Sequence, residues 1–431
     1  MSSIARRVSR AAGAISLPPA GGGSGDTPPT GPSYVAFETL YQAGDTQPDG
    51  TMDLTAILAR NRTATEGKII TFPEGIFMCS DFQDTTSIFQ AGILIPSWVK
   101  GIWGSGRGTL GGSTGTIFTM KPMSSTRAYP AKDRNGNYYV PLQGTGIPVQ
   151  LNVLKHYPTY PAIYKNFQVA GAAQGHIFSL FQSYGGPDGA LAEDLLLCGW
   201  EGDNGAPPGE TTALGINTGS NHVMRRVEVD GRRTPGGQTF GAMGITFQNA
   251  VNCRFEDCNL HHCRAACAVF YQTFNSTLQD CIIDSASAGT YALGNGGINL
   301  ERTAGTKLIR PNIIGRQNKV HITHSNDTWT LTRGGKTYTT AGGSLEIIDP
   351  TYNSVFGNGY LYVQTWIPYS LGDFGNGNSM TYPGAMGSDG ISADGPSCAP
   401  YVHSSDGSAI TYLWAFDKHY LGPITRVPVY Q

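Results

Sequence analysis

Residues 252–263 read NCRFEDCNLHHC, and the same frame recurs on either side, as NHVMRRVEVDG at 221–231 and NSTLQDCIIDS at 275–285. In each, an asparagine is followed three residues on by an apolar side chain, then by a second three further and a third two beyond that. Aligned on those apolar positions, the pattern occurs six times: Tyr164/Phe167/Val169, Ala192/Leu195/Leu197, Met224/Val227/Val229, Phe255/Cys258/Leu260, Leu278/Cys281/Ile283 and, with a polar middle, Ile309/Asn312/Ile314. One match to so short a pattern means nothing. Six at a loose period carry weight, and two coincidences at fixed offset add to them: Asn221, Asn252 and Asn275 fall in consecutive copies, and Cys258 falls over Cys281.

A repeat of this size, with alternating apolar residues and Gly-rich connections of variable length, predicts a parallel solenoid in which each coil buries its face only against its neighbours. The expected fold is therefore all-β, a parallel β-helix, with loops of unequal length bulging from some coils. Composition agrees. The 431 residues include 58 Gly and 26 Pro, against long helices, while 39% hydrophobic content supplies a core and excludes wholesale disorder. A net charge of −2, without a basic stripe beyond the first ten residues, argues against nucleic acid as a partner. No apolar run is long enough for a membrane span, and Arg6, Arg7 and Arg10 lead into no apolar signal core, so neither membrane insertion nor Sec-type export is expected. The eight cysteines (79, 198, 253, 258, 263, 267, 281 and 398) form no C-x-x-C pair, and five crowd together between 253 and 281. They are expected to be free, buried thiols in a protein folded in a reducing cytosol.

Four regions follow along the chain. Residues 1–16 hold Ile4, Val8, Ala11, Ala12 and Ile15 at helical spacing with arginines opposite, which suits a short anchoring helix, and residues 17–33 are a Pro/Gly/Ser linker. The β-helix is expected over 34–340. It opens with DGTMDLTAILARN (49–61), where Asp53 caps a short helix, and KIITFPEGIFMCS (68–80), a strand, turn, strand unit. Residues 341–431 depart from the repeat and are rich in aromatics, which predicts a distinct C-terminal β region.

These stretches, with VKGIWGSGRGTLGGSTGTIF (99–118) and NCRFEDCNLHHC, resemble the cap and coils of pectate-lyase-like right-handed β-helices. The fold hosts lyases, hydrolases and pure binding proteins, so the resemblance implies fold more than chemistry. The helix and linker at the N-terminus resemble those of bacteriophage tail proteins, tailspikes or minor tail proteins. That resemblance implies a virion component made in the host cytoplasm: a homotrimer joined to other phage tail proteins through its N-terminal segment and contacting host envelope glycan. The expected function is binding of cell-surface polysaccharide, with cleavage by a glycoside hydrolase or polysaccharide lyase activity left open. Two alternatives stand beside it, a secreted bacterial polysaccharide lyase or glycoside hydrolase and a purely structural tail-tip subunit.

The repeat register nominates a site. The residue after the third apolar position points outward and stacks, coil on coil, as Asp230, His261 and Asp284. At about 5 Å per coil the two aspartates stand roughly 10 Å apart, near the upper limit for inverting glycosidases, which leave room for a water between two carboxylates. Tailspike-type depolymerases resemble this in placing acidic pairs on exposed strands. Glu228 and Asn259, outward on the same sheet, are secondary candidates. Trp366, Tyr369 and Trp414 are candidates for stacking on sugar. GRGTLG (106–111) has the spacing of a dinucleotide-binding turn, but GSTGTIF follows it instead of a helix, so it reads as a coil turn. His261 and His262 beside Cys258, Cys263 and Cys267 suggest zinc; in a β-helix, however, Cys258 faces the core and His261 faces out, so these ligands cannot converge. No cofactor and no metal are expected.

Overall fold

The computed structural model describes residues 30–31, 33–79, 89–120, 150–171, 179–184, 186–199, 212–232, 234–236, 243–263, 266–284, 297–315, 319–323 and 329–340, and the backbone of further strands between 344 and 423. The N-terminal segment expected to form the anchoring helix and most of the linker lie outside the described residues, as do Trp366 and Tyr369; Trp414 is described in backbone only.

The chain is mostly β, with parallel sheets and few helices. Among the described residues one sheet holds 19 strands, a second 12, and a hairpin two. The chain alternates between the two large sheets. Thr212–Ser220 lies in the second sheet, Val223–Arg225 and Glu228–Asp230 in the first, Met243–Val251 in the second again, and Arg254–Glu256 and Asn259–His261 in the first. Each strand pairs in parallel with its counterpart one repeat on: Met224 opposes Phe255, which opposes Leu278, and Val229 opposes Leu260, which opposes Ile283. Ile163–Ala170 and Leu191–Cys198 run unbroken through both short-strand positions, in register over Tyr164/Ala192, Phe167/Leu195 and Val169/Leu197. Five of the six repeat copies therefore stack as expected.

The sixth copy is shifted by one residue. Leu278 opposes Leu308 and Ile283 opposes Ile313, so the inward triple is Leu308/Pro311/Ile313 and not Ile309/Asn312/Ile314. Leu308 and Ile313 are fully buried. A one-residue slip would turn every side chain of the coil to the other face, and the adjacent apolar pairs Leu308–Ile309 and Ile313–Ile314 leave the sequence pattern ambiguous there. Parallel pairing also runs on past residue 341, with Ser344–Ile348 on Thr306–Ile309 and Tyr360–Thr365 on Lys319–Thr323. Antiparallel partners then appear, Met380–Thr381 on Ser370–Leu371 and Ile410–Asp417 on Tyr360–Thr365.

Both sheets contribute to one apolar core. Phe255 packs at the short-strand position between Phe247 and Phe270 of the facing sheet, ring centroids 4.3 and 4.8 Å away. Between strands the chain bends through left-handed residues, where asparagine is tolerated better than most L-residues: Asn221, Asn252 and Asn275 have φ of 59°, 56° and 52°. At the next coil the position is Gly305, φ +69°, where a Cβ would meet Asn275 Oδ1 at 2.4 Å. The first helix is as expected, Leu54–Arg60, with the Asp53 carboxylate accepting from the Ala56 amide and Leu54, Ile57 and Leu58 buried. The two strands after it, Ile69–Thr71 and Gly75–Cys79, pair with Gly101–Trp103 and Thr116–Met120. No helix among the described residues is long and apolar enough to cross a membrane.

Candidate functional site

The outward column is real as a register: Asp230 opposes His261, and His261 opposes Asp284. All three sit at the ends of short strands, where the coil leaves the sheet for its variable connection. That connection spans 231–242 after Asp230 and 285–296 after Asp284, but only 262–265 after His261. His262, which the sequence groups with the cysteines, joins the column directly after His261. Its φ of 55° breaks the alternation that would have turned it inward. Its Nδ1 lies 2.7 Å from His261 Nδ1 and 3.4 Å from Asp230 Oδ1.

The structure corrects the exposure expected of Asp230. Although it alternates outward from buried Val229, it is only 2% exposed, because Arg232 folds back over it. Arg232 Nη2 donates to Oδ2 at 2.7 Å and Nε to Oδ1 at 2.9 Å, while the Arg232 amide donates to Oδ1 at 3.0 Å. A carboxylate so held is covered from solvent and serves the structure. The half-buried carboxylate beside it is Glu228, two residues back on the same face. His261 stands between the two, Nε2 3.5 Å from Glu228 Oε1 and Nδ1 3.8 Å from Asp230 Oδ2. Arg107, from the Gly-rich turn between Trp103 and Thr116, reaches Glu228 Oε2 at 3.1 Å. The turn that mimics a dinucleotide fingerprint thus closes on itself, the Thr116 amide donating to the Gly106 carbonyl, and supplies a cation to this face.

Electrostatics follow from these contacts. The His261 ring N–H, then the Arg107 guanidinium, hold the Glu228 carboxyl below the usual range and keep it ionised. Burial pushes the His262 imidazole down to about 4, so it is neutral at neutral pH. Asn259 stacks on Glu228 in the neighbouring coil, with partly exposed Ile282 above it. The zinc set of two histidines with three cysteines does not form: Cys258, Cys263 and Cys267 are buried in the core, on the other side of the sheet from His261. The set that does converge is Asp230, His261 and His262, whose donor atoms all lie within 4.8 Å of one another. A second charged cluster, buried Glu193 between Lys165 at 3.2 Å and Arg225 at 2.6 Å with Arg226 also on it, joins three coils by paired charges.

No family model matches the sequence, and no curated protein matches it. Among solved structures the chain is similar to pectate lyase Pel9A, at 12% identity and a TM-score of 0.41, over 84% of this chain and 82% of that one. It is similar to the mannuronan C-5 epimerase AlgE4 A-module of Azotobacter vinelandii, at 10% identity and a TM-score of 0.36, over 75% and 89%. It is similar also to the Agl-KA catalytic domain, at 13% identity and a TM-score of 0.32, over 81% and 68%. At these values none of them assigns a role to a residue of this chain.

Proposed function

We propose that this protein is a polysaccharide-acting right-handed parallel β-helix of the bacteriophage tailspike or minor-tail kind, which holds host envelope glycan across the face bearing Glu228, His261 and Asp284. The observation that carries the reading is that face itself. It presents polar side chains on successive coils, Glu228, then Asn259 and His261, then Asp284, at the regular spacing of stacked strands, about 4.8 Å, which suits repeated hydrogen bonding along a polymer. The tail assignment rests on the sequence resemblance of residues 1–33. The carboxylates open to a sugar are Glu228 and Asp284; Asp230 is covered by Arg232, and His261 orients Glu228 through its Nε2 contact. If the bound chain is cleaved, ionised Glu228 is the group to activate a water.

Incubation of purified protein with host envelope polysaccharide tests this, reading both binding and new chain ends. New ends that vanish in Glu228→Gln and in Asp284→Asn support cleavage on this face. Binding without new ends, weakened by Trp366→Ala or Trp414→Ala and indifferent to the carboxylates, makes the protein an adhesin that uses its C-terminal aromatics. Neither binding nor cleavage of any envelope polysaccharide removes the proposal.

A further inference from the structure

We propose that Asp230, His261 and His262 form a site for one divalent transition-metal ion, zinc by preference, with Glu228 fixing the His261 ring from behind. The inference does not depend on the glycan reading: the ion would bind whether or not the protein meets a polysaccharide.

The donors are of the right kind, two imidazole nitrogens and a carboxylate oxygen, the N/O set that zinc and its neighbours take. Their separations also fit. His261 Nδ1 and His262 Nδ1 are 2.7 Å apart, His262 Nδ1 and Asp230 Oδ1 3.4 Å, and His261 Nδ1 and Asp230 Oδ2 3.8 Å. Tetrahedral ligands at zinc distances of about 2.0–2.1 Å lie about 3.3–3.4 Å from one another; the two aspartate distances run to different oxygens, and with one oxygen as ligand the three donor atoms lie within 4.8 Å, so the side chains must close in around the ion. At 2.7 Å the two imidazole nitrogens must share a proton, one donating and the other accepting; a cation placed between them and Asp230 takes over that proton's role.

The surroundings supply what a metal-ligating histidine needs. With Nδ1 turned to the ion, His261 carries its proton on Nε2, facing Glu228 Oε1 at 3.5 Å, the carboxylate–histidine–metal arrangement that fixes tautomer and ring orientation. His262 is locked by its left-handed backbone and by edge-to-face contact with His261, ring centroids 5.0 Å apart. Arg232 donates two hydrogen bonds to each Asp230 oxygen, and the longest of them, Nε to Oδ2 at 3.2 Å, is the one the ion would displace. Three protein ligands leave a fourth position for water or a sugar hydroxyl, the ligand count of catalytic more than structural zinc sites. The ligands converge where His262 takes a left-handed backbone, φ 55°, while Cys258, Cys263 and Cys267 are buried in the core, so the histidines pair with Asp230 and not with the cysteines.

The test is titration of chelator-treated full-length protein with zinc and with cobalt, by calorimetry and by absorption. The expected result is one ion per chain, a cobalt spectrum of nitrogen and oxygen ligands without a thiolate charge-transfer band, and a thermal midpoint that rises with added ion, since the ion binds the folded state. His262→Asn, a residue that also tolerates the left-handed conformation, should fold as the parent does and weaken binding by more than about 100-fold, and Glu228→Gln should weaken it by roughly 10-fold. No binding at millimolar zinc, a thiolate band in the cobalt spectrum, or parental affinity in His262→Asn would each overturn the proposal.

Discussion

Asp230 is accommodated at 2% exposure because Arg232 gives back the hydrogen bonds that burial takes away. Removing one partner of such a pair leaves the other desolvated and unpaired. Asp230→Ala is therefore expected to lower stability by about 2–4 kcal/mol, measured by denaturant unfolding, while Glu228→Gln on the half-exposed rim should change it by less than about 1 kcal/mol. His156 yields a pH prediction. Fully buried and bonded through Nδ1 to the Tyr164 hydroxyl at 2.8 Å, it is pushed by burial from 6.5 to about 3. The unfolded chain then binds a proton that the folded chain refuses, so stability is at its plateau above pH 6.5 and falls as the pH drops from there toward 3. Thermal midpoints between pH 7 and 4 should show this, and His156→Gln should flatten the slope. At this scale the column Asp230, His261, Asp284 was readable, since strict alternation outward from Val229, Leu260 and Ile283 requires no more than the repeat. The cover provided by Arg232 was not, because a side chain folding back from a loop leaves no periodic trace. Nor was His262, whose left-handed backbone breaks the alternation on which the reading depended.

Among the elements, the left-handed bends set the limits of substitution. Asn252→Ala places a Cβ-bearing residue without a side-chain amide at φ 56° and removes the 3.5 Å contact from its amide to Asn221. It should cost about 1–2 kcal/mol, whereas Asn252→Gly should be close to neutral; equal losses in thermal unfolding would contradict this account of the bend. The core between the sheets makes a sharper demand. Phe255→Ala empties a position packed against Phe247 and Phe270 and should cost about 3–5 kcal/mol. Five coils were legible because each has one apolar triple on one face. The sixth was misplaced because Leu308–Ile309 and Ile313–Ile314 satisfy both registers, and the choice falls to the neighbouring coil, against which Leu308 meets Leu278.

At the scale of the molecule, stacked parallel strands leave a lateral face that this lightly charged chain does little to keep solvated. A homotrimer is the expected answer, and mass measurement in solution checks it: a stable monomer at micromolar concentration contradicts the tail reading. Deleting residues 1–33 should leave the body folded and abolish incorporation into particles, because a Pro/Gly/Ser linker separates the N-terminal segment from the core. Buried Cys253, Cys258, Cys263, Cys267 and Cys281 form no disulfide among the described residues, and alkylation before and after denaturation should find them reactive only after unfolding. The central claim is that glycan lies across the Glu228, His261 and Asp284 face. Hydrogen exchange of the full-length protein, with and without an envelope polysaccharide that it binds, tests this most directly. Added protection is expected in 228–232, 259–263 and 282–284; protection confined to the segments after 344, with those three unchanged, would contradict that placement of the glycan.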